Sequence, residues 1–264
     1  MNHKIALLFI LAFILVTNCF GQRSSVRFQL GYGVPLSKTS LFNYYYVSGN
    51  TASGFYGSYG KGYRLEGAYN YSLNETVSFE LDAAYLIGSK MSFPIAGSTT
   101  NSIVSASASF GEISPLVKFS FTKSKLAPFI GVGPLIGFGS FVSEFHSNTT
   151  VQDQTFKGSV AVGAKTVLGL LLSKGKLSYY AQLSLIYLNY SPSKSEITKD
   201  VVNGTDRLSG LSVSQKQFVY TSSYTVATQN PNLPTPQIKF YTPFNSVGVD
   251  FGVMYKFGSE VRRK

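Results

Sequence analysis

The chain has 264 residues, a net charge of +11 and one cysteine, and only 13% of its residues are charged. This low charge content, with many glycine, tyrosine and phenylalanine residues and no tryptophan, is typical of an all-β protein with many turns. Lysine and arginine are spread along the chain, whereas a nucleic-acid-binding protein concentrates them in one helix or patch. We therefore expect no nucleic-acid partner.

Residues 1–21 predict a cleaved signal peptide. The apolar run from Ile5 to Val16 is too short for a membrane-spanning helix and has the length of a signal-peptide core. A small-x-small cleavage pattern ends at Gly21, so we expect export and a mature domain of residues 22–264. Acylation of Cys19, as in a lipoprotein, is the alternative. If the leader is removed, no cysteine remains, which excludes disulfides and cysteine metal sites.

Eight runs of alternating apolar and polar residues predict eight strands, because successive side chains of a strand point to opposite faces. In the last run Val249, Phe251 and Val253 alternate with small or charged residues. Most runs are about ten residues long, the length with which a tilted strand crosses a bilayer. The runs lie at about 25–33, 61–72, 76–87, a segment ending at Phe121, 126–138, 157–172, 177–190 and 246–257.

The connections between these strands alternate strictly between long and short. We predict long loops at about 34–60, 88–101, 139–156 and 191–245, with short turns between them. Transmembrane barrels have short periplasmic turns and long extracellular loops. The sequence therefore predicts an all-β fold, an eight-stranded antiparallel up-and-down transmembrane β-barrel, with both termini in the periplasm. A soluble, lipocalin-like barrel with its apolar face inward is the alternative, since alternation alone does not say which face is inside.

The polar face of the predicted strands carries five acidic and four basic residues. Side chains fill the interior of an eight-stranded barrel, and a lone buried charge is costly. We therefore predict a network of ion pairs in the barrel interior that plugs the lumen. Its members are Arg64, Glu66, Glu80, Asp82, Glu112, Lys118, Lys165, Asp250 and Lys256.

Two segments resemble small outer-membrane β-barrel proteins of the OmpA/OmpX-like, porin-family type. Residues 126–138 resemble a central strand of that family, and Val253, Tyr255 and Phe257 resemble its C-terminal assembly signal. One departure is that residues 258–264 follow the last aromatic residue. The resemblance implies integration into the bacterial outer membrane, recognition by the barrel-insertion machinery and contact with outer-membrane lipids including lipopolysaccharide. We further expect a monomer.

Little in the sequence indicates catalysis or a cofactor. Gly131, Gly133 and Gly137 suggest a phosphate-binding loop, but the alternation continues through them as a strand, whereas such a loop precedes a helix. His146 with an unspecified loop serine or aspartate is the candidate for a membrane-embedded hydrolase. As a lone histidine it does not make a metal site, which needs three or four ligands. We predict no enzyme activity, no cofactor and no metal.

The first long loop is a candidate surface-binding loop. Its aromatic residues stand among glycine, serine and asparagine, a composition like that of adaptable binding loops. Anchoring of the loop at the membrane surface is the alternative. We predict a structural or surface-interaction protein that acts through extracellular loops, with a narrow porin for small solutes as the alternative function. The residues of this loop are Tyr44, Tyr45, Tyr46, Tyr56 and Tyr59.

Overall fold

The computed structural model describes residues 24–36, 40–48, 51–95, 102–121, 124–225 and 230–257, and for residues 40–48 and 51–56 it describes the backbone alone. The predicted leader, with Cys19, lies outside the described residues. In chain order the strands are β1 (Ser24–Pro35), β2 (Ser40–Ser48), β3 (Thr51–Tyr56), β4 (Gly62–Ser72), β5 (Val77–Gly88), β6 (Met91–Ile95), β7 (Ser102–Ser120), β8 (Leu126–His146), β9 (Thr150–Lys174), β10 (Leu177–Tyr190), β11 (Lys194–Val202), β12 (Thr205–Asp206), β13 (Gln217–Thr221), β14 (Thr235–Ile238), β15 (Thr242–Pro243) and β16 (Ser246–Lys256).

Helical structure in the described residues is confined to a 3-10 turn at Leu208–Gly210 and a short helix, α1, at Val213–Lys216. None of the helical segments described is long and apolar enough to cross a membrane.

Eight of the strands close into a barrel. β1, β4, β5, β7, β8, β9 and β10 pair in chain order, and β16 joins β10 to β1, with every pairing antiparallel. The closure is visible at Gly31, which lies opposite Arg64 on one side and Asp250 on the other. The predicted fold, an all-β, eight-stranded antiparallel up-and-down barrel, is confirmed.

The barrel wall turns its apolar side chains outward. Phe28, Leu30 and Phe251 are 64%, 52% and 62% exposed, whereas Arg27 and Gln29, which alternate with them on β1, are buried. This is the arrangement of a barrel surrounded by lipid, because lipid-facing residues must be apolar and the polar residues then point into the lumen. The lipocalin-like alternative, with an apolar interior along the whole wall, does not describe this molecule.

Three short connections, β4–β5, β7–β8 and β9–β10, lie at one end of the barrel, here called the turn end. In the first of them the Asn74 side-chain oxygen accepts hydrogen bonds from the N–H groups of Thr76 and Val77 at 2.8 and 2.7 Å. In the last, Gly175 has a φ of 62°, a left-handed conformation that glycine adopts without strain. The long connections lie at the opposite end, here called the loop end.

The strands β8 and β9 continue well past the barrel wall at the loop end. A polar loop was expected at 139–156, but β8 runs to His146 and β9 begins at Thr150, so the two strands form a ribbon over this stretch. The pairing shifts register between Phe138 and Ser140, and Gly158, with a φ of 98°, lies on β9 at this irregularity. Such a bulge bends a strand pair and raises its twist.

Further strands extend the ribbon into a sheet. β11 pairs with β9, β13 pairs with β11, and β14 runs parallel to β13. The expected long loop at 191–245 therefore contains sheet structure. Short pairs also form within the other two long connections, β2 with β3 in 34–60 and β6 with β7 across the end of 88–101. We call β11, β13, β14 and the β8–β9 ribbon the loop-end sheet.

Candidate functional site

The barrel interior holds a network of buried ion pairs centred on Arg27 of β1. Its Nη2 atom lies 2.6 Å from Oε1 of Glu66, 2.7 Å from Oε1 of Glu80 and 3.7 Å from Oδ2 of Asp82. The guanidinium Nη1 donates to Gln29 at 2.6 Å. Because Glu66 lies on β4 and both Glu80 and Asp82 lie on β5, this one arginine joins three strands of the wall.

Two lysines complete the network, Lys165 from the opposite wall of the barrel and Lys118 from the strand next to β5. Lys165 of β9 places its Nζ 2.6 Å from Glu66 and 2.6 Å from Asp82. Lys118 of β7 lies 3.1 Å from Oε2 of Glu80, so that this carboxylate is held between two cations. All six side chains are at most 10% exposed. We call Arg27, Glu66, Glu80, Asp82, Lys118 and Lys165 the charge layer.

The remaining predicted interior residues lie outside the charge layer. Arg64 and Glu112 form a separate buried pair nearer the loop end, at 3.3 Å. Asp250 accepts a hydrogen bond from Gln182 at 3.1 Å. Lys256 lies at the turn end and donates to Ser173 at 3.2 Å. The structure thus brings seven of the nine predicted residues into ion pairs and gives Asp250 and Lys256 neutral partners.

Arg27, the centre of the charge layer, was missed in the sequence. Its position between Val26 and Phe28, both on the outward face of β1, carried the signal that its side chain points into the lumen. With Arg27 included, the interior set has five basic residues beside its five acidic ones. Within the charge layer itself, three basic residues stand beside three acidic ones, so its charges are balanced only when Arg27 is counted.

A cluster of buried aromatic side chains occupies the loop end of the lumen. Phe110 packs against Phe244 with ring centroids 4.5 Å apart and against Tyr190 at 5.2 Å. Phe141 and Phe156 stack at 4.4 Å with their planes 6° apart. All six members are buried, and Leu86, Leu135, Ile186 and Leu188 pack around them. We call this cluster the aromatic plug; its members are Tyr59, Phe110, Phe141, Phe156, Tyr190 and Phe244.

Tyr59 corrects one prediction. It was expected in a surface-binding loop, but it is 1% exposed and lies between Phe141 and Phe244, with ring centroids at 4.6 and 5.5 Å. Burial of a large ring in an apolar cluster is more favourable than its exposure at a loop tip. Tyr44, Tyr45, Tyr46 and Tyr56, the other members of that predicted loop, have side chains outside the described part of the structure.

Gly137, one of the three glycines that superficially suggest a phosphate-binding loop, has a packing role in the strand. A Cβ atom on Gly137 of β8 would lie 2.3 Å from a ring carbon of Phe110 and 2.9 Å from a methyl carbon of Leu188. The absence of a side chain at this position lets the plug ring lie directly against the barrel wall.

The loop-end sheet has its own small core. Tyr220 of β13 is 4% exposed, its hydroxyl is 2.8 Å from Ser195 of β11, and its ring packs edge-on against Phe240 at 5.1 Å. Phe156 lies 6.2 Å from Tyr220 and so links this core to the aromatic plug. Burial raises the pKa of the Tyr220 hydroxyl above its usual range. The sheet is therefore packed onto the barrel mouth as a structured surface.

His146, the hydrolase candidate, lies at the tip of β8 beside Glu144 and Asp153. A nucleophile–base pair needs a hydroxyl within hydrogen-bonding reach of the imidazole. Across the described residues, no hydrogen bond joins His146 to a serine or threonine. The arrangement around this histidine is a set of carboxylates, and it does not have the geometry of a catalytic triad.

The predicted assembly-signal residues lie on the lipid side at the turn end of β16. Val253 and Tyr255 are 39% and 44% exposed, and the rings of Tyr255 and Phe257 meet edge-on at 5.7 Å. An aromatic pair at the end of a lipid-facing strand is typical of the interfacial girdle of membrane barrels.

A closed wall with apolar residues outside and charged residues inside defines a small membrane-spanning β-barrel of the outer-membrane type. No protein-family model matches the chain, and no curated protein is significantly similar to it. Among solved structures, the chain is similar to Neisserial surface protein A (NspA), with 11% identity, a TM-score of 0.38, and coverage of 88% of this chain and 96% of that one. It is also similar to the outer membrane protein OprG from Pseudomonas aeruginosa, with 12% identity, a TM-score of 0.42, and coverage of 89% and 97%.

Proposed function

We propose that this protein is an integral outer-membrane barrel that acts as a structural or surface-interaction protein through its loop-end sheet, and that it conducts no solutes. The observation that supports this most directly is the filling of the lumen at two levels. The charge layer occupies the middle of the barrel and the aromatic plug occupies the loop end. An open path for a hydrated solute would have to pass both.

The charge layer obstructs the lumen because its ion pairs span it. Lys165 on β9 reaches across the lumen to Glu66 on β4, and Arg27 on β1 reaches past β4 to Glu80 on β5. Lys118, on the adjacent strand β7, binds the same Glu80 carboxylate. Separating these pairs would leave charges buried and unpaired, which costs several kcal/mol. This cost holds the side chains in place across the lumen.

We propose that the loop-end sheet is the part of the molecule that binds partners. In a transmembrane barrel the long connections face the cell exterior. Here they form a packed sheet with large exposed apolar side chains, among them Leu233, Ile238 and Tyr241 at 58%, 56% and 72% exposure. Exposed apolar residues on a rigid support are typical of protein and ligand contact surfaces.

The remaining partners follow from the same proposal. Export by the signal peptide, insertion by the barrel-insertion machinery acting on the β16 end, and contact of the outer wall with outer-membrane lipids including lipopolysaccharide are all expected. We propose a monomer, because a single chain closes the sheet. We propose no catalytic role, since His146, the catalytic candidate, has no serine or threonine hydroxyl in hydrogen-bonding contact among the described residues.

Ion conductance separates this proposal from the narrow-porin alternative. The purified protein, reconstituted in a planar lipid bilayer beside an open porin as positive control, is expected to give no stable single-channel steps. A porin of any size would give discrete, voltage-stable steps that scale with salt concentration. Observation of such steps at one channel per inserted protein would overturn the proposal of a sealed lumen.

A further inference from the structure

The outward face of the β8–β9 ribbon brings together three side chains that commonly bind metal ions. Glu144 on β8 lies directly opposite Asp153 on β9. His146 follows Glu144 by two positions on β8, so both side chains point to the same face of the ribbon. The three are close to the tip of the ribbon, away from the charge layer and the aromatic plug, and they play no part in the proposed surface role.

The three ligand atoms surround a common point. His146 Nε2 lies 3.8 Å from Oε2 of Glu144 and 3.9 Å from Oδ1 of Asp153, and all three atoms lie within 4.8 Å of one another. These distances are too long for hydrogen bonds. Ligand atoms about 2.1 Å from a tetrahedral zinc ion lie about 3.4 Å apart. The two distances to His146 exceed this by about 0.5 Å or less, and the Glu144 and Asp153 oxygens would have to approach each other by at most about 1.4 Å.

One oxygen of the Asp153 carboxylate, a side chain that is 25% exposed as a whole, gives a second indication of a cation site. This Oδ1 atom is buried and has no hydrogen-bond partner, although it faces His146 at 3.9 Å. A buried carboxylate oxygen without a partner is unfavourable, and native structures rarely keep one without a compensating contact. A cation bound between Asp153 and His146 would supply that contact.

Two lysines border the cluster and set its expected affinity. Lys90 forms an ion pair with Oε2 of Glu144, the same atom that would bind the metal, and its side chain is 51% exposed. Lys199 of β11 lies opposite Asp153 in the sheet. Because the Lys90 side chain is half exposed, breaking its ion pair with Glu144 costs little free energy. Lys90 therefore competes with a cation for Glu144 and does not block the site.

We propose that Glu144, His146 and Asp153 form a binding site for a divalent transition-metal ion, zinc first of all, on the loop-end ribbon. An imidazole with two carboxylates is a donor set that suits zinc, whereas calcium and magnesium prefer ligands that are all oxygen. The ion would tie β8 to β9 at the tip of the ribbon and leave one position open for water.

Zinc binding by the purified, chelator-treated barrel without a polyhistidine tag tests this site. Calorimetry or competition with a chromophoric chelator is expected to show one equivalent of zinc per chain. His146→Gln and Asp153→Asn should each weaken binding by more than about tenfold, because even changes in outer-shell residues cost a metal site that much. Lys90→Gln should strengthen binding, since it frees Glu144.

Asp206→Asn is the matched control, because Asp206 is an exposed acid at the same end that lies outside the cluster. All variants should retain the same difference in mobility between unboiled and boiled samples, which shows that the barrel is intact. The proposal is overturned if the wild type binds no zinc, or if His146→Gln and Asp153→Asn bind it as tightly as the Asp206→Asn control does. Cobalt gives a second readout, since its visible absorption bands should change in His146→Gln only if the imidazole is a ligand.

Discussion

The lumen of this barrel is filled in two different ways, and the contrast between them is instructive. In the middle, six charged side chains neutralise one another with Arg27 at the centre. At the loop end, six aromatic rings pack together, with Phe110 and Phe244 in contact at 4.5 Å. One layer depends on paired charges and the other on the burial of apolar surface.

The two layers differ in how they respond to change. A buried ion network fails as a unit, because removal of one member leaves its partners charged and unpaired in a medium of low dielectric constant. An aromatic cluster loses only the contacts of the ring that is removed, since its interactions are many and individually weak. We therefore expect large effects from substitutions in the charge layer and graded effects in the aromatic plug.

Removal of Lys165 should have the largest effect. Among the described residues, Lys165→Ala leaves Glu66 and Asp82 with Arg27 as their one remaining basic partner. We therefore expect a loss of about 3–5 kcal/mol in the free energy of unfolding. This loss is measured by urea titration of the barrel in lipid vesicles, with the gel mobility of unboiled samples as the readout. Lys165→Arg, which keeps the charge, is the control and should lose much less. A loss below about 1 kcal/mol for Lys165→Ala would show that the charge layer does not act as a unit.

A charge placed on the outer wall should have the next largest effect. Phe251→Arg puts a cation on the lipid face near the middle of β16, which is expected to cost about 2–4 kcal/mol. Phe251→Leu keeps the apolar surface and should be almost neutral. The same urea titration applies. If Phe251→Arg were neutral or stabilising, the exposed apolar wall would face water. The assignment of the apolar face to the lipid side of the barrel would then be wrong.

Thinning of the aromatic plug should have a smaller and more local effect. Phe156→Leu removes a ring stacked on Phe141, a contact worth about 1 kcal/mol beyond the area that it buries. We expect faster protease cleavage of the loop-end ribbon with unchanged urea unfolding of the barrel. Tyr241→Leu, at a ring that is 72% exposed, is the control. Equal destabilisation of ribbon and barrel would mean that the plug and the charge layer form one cooperative unit.

The exposed ion pair at the ribbon should have the smallest effect. Lys90→Ala breaks the contact with Glu144, and exposed pairs contribute less than about 1 kcal/mol because water screens them. Urea unfolding at low and high salt is expected to differ little from that of the wild type. A loss as large as that of Lys165→Ala would remove the distinction between buried and exposed charges on which this account depends.

The barrel itself could be predicted from the sequence because its signal is local. A side chain faces either lipid or the lumen, so the choice repeats every second residue, as at Val249, Phe251 and Val253 of β16. The same alternation contained the information on Arg27, which was overlooked between Val26 and Phe28. Which charges pair could not be predicted, since Lys165 and Glu66 are 99 positions apart and meet only through the stagger of the strands.

The loop-end structures were less accessible to sequence reasoning. Tyr59 was assigned to an exposed loop because its neighbours are glycine and serine, yet it is buried by Phe141 and Phe244, which are distant in sequence. We predicted a loop at 139–156 because many of its residues are polar. They are polar because the outward face of the ribbon is exposed to water. The group of Glu144, His146 and Asp153 likewise depends on the pairing of two strands, and His146 alone gave no indication of it.

Heat-dependent mobility of the native protein tests the central claim most directly, namely that this chain is a closed barrel that sits in the outer membrane with its apolar wall facing lipid. The outer-membrane fraction would be run in detergent gels with and without boiling. We expect the protein in that fraction, with the unboiled form migrating faster because a closed barrel resists detergent until it is heated. Recovery of the protein in the soluble periplasm, with the same mobility before and after boiling, would contradict this account.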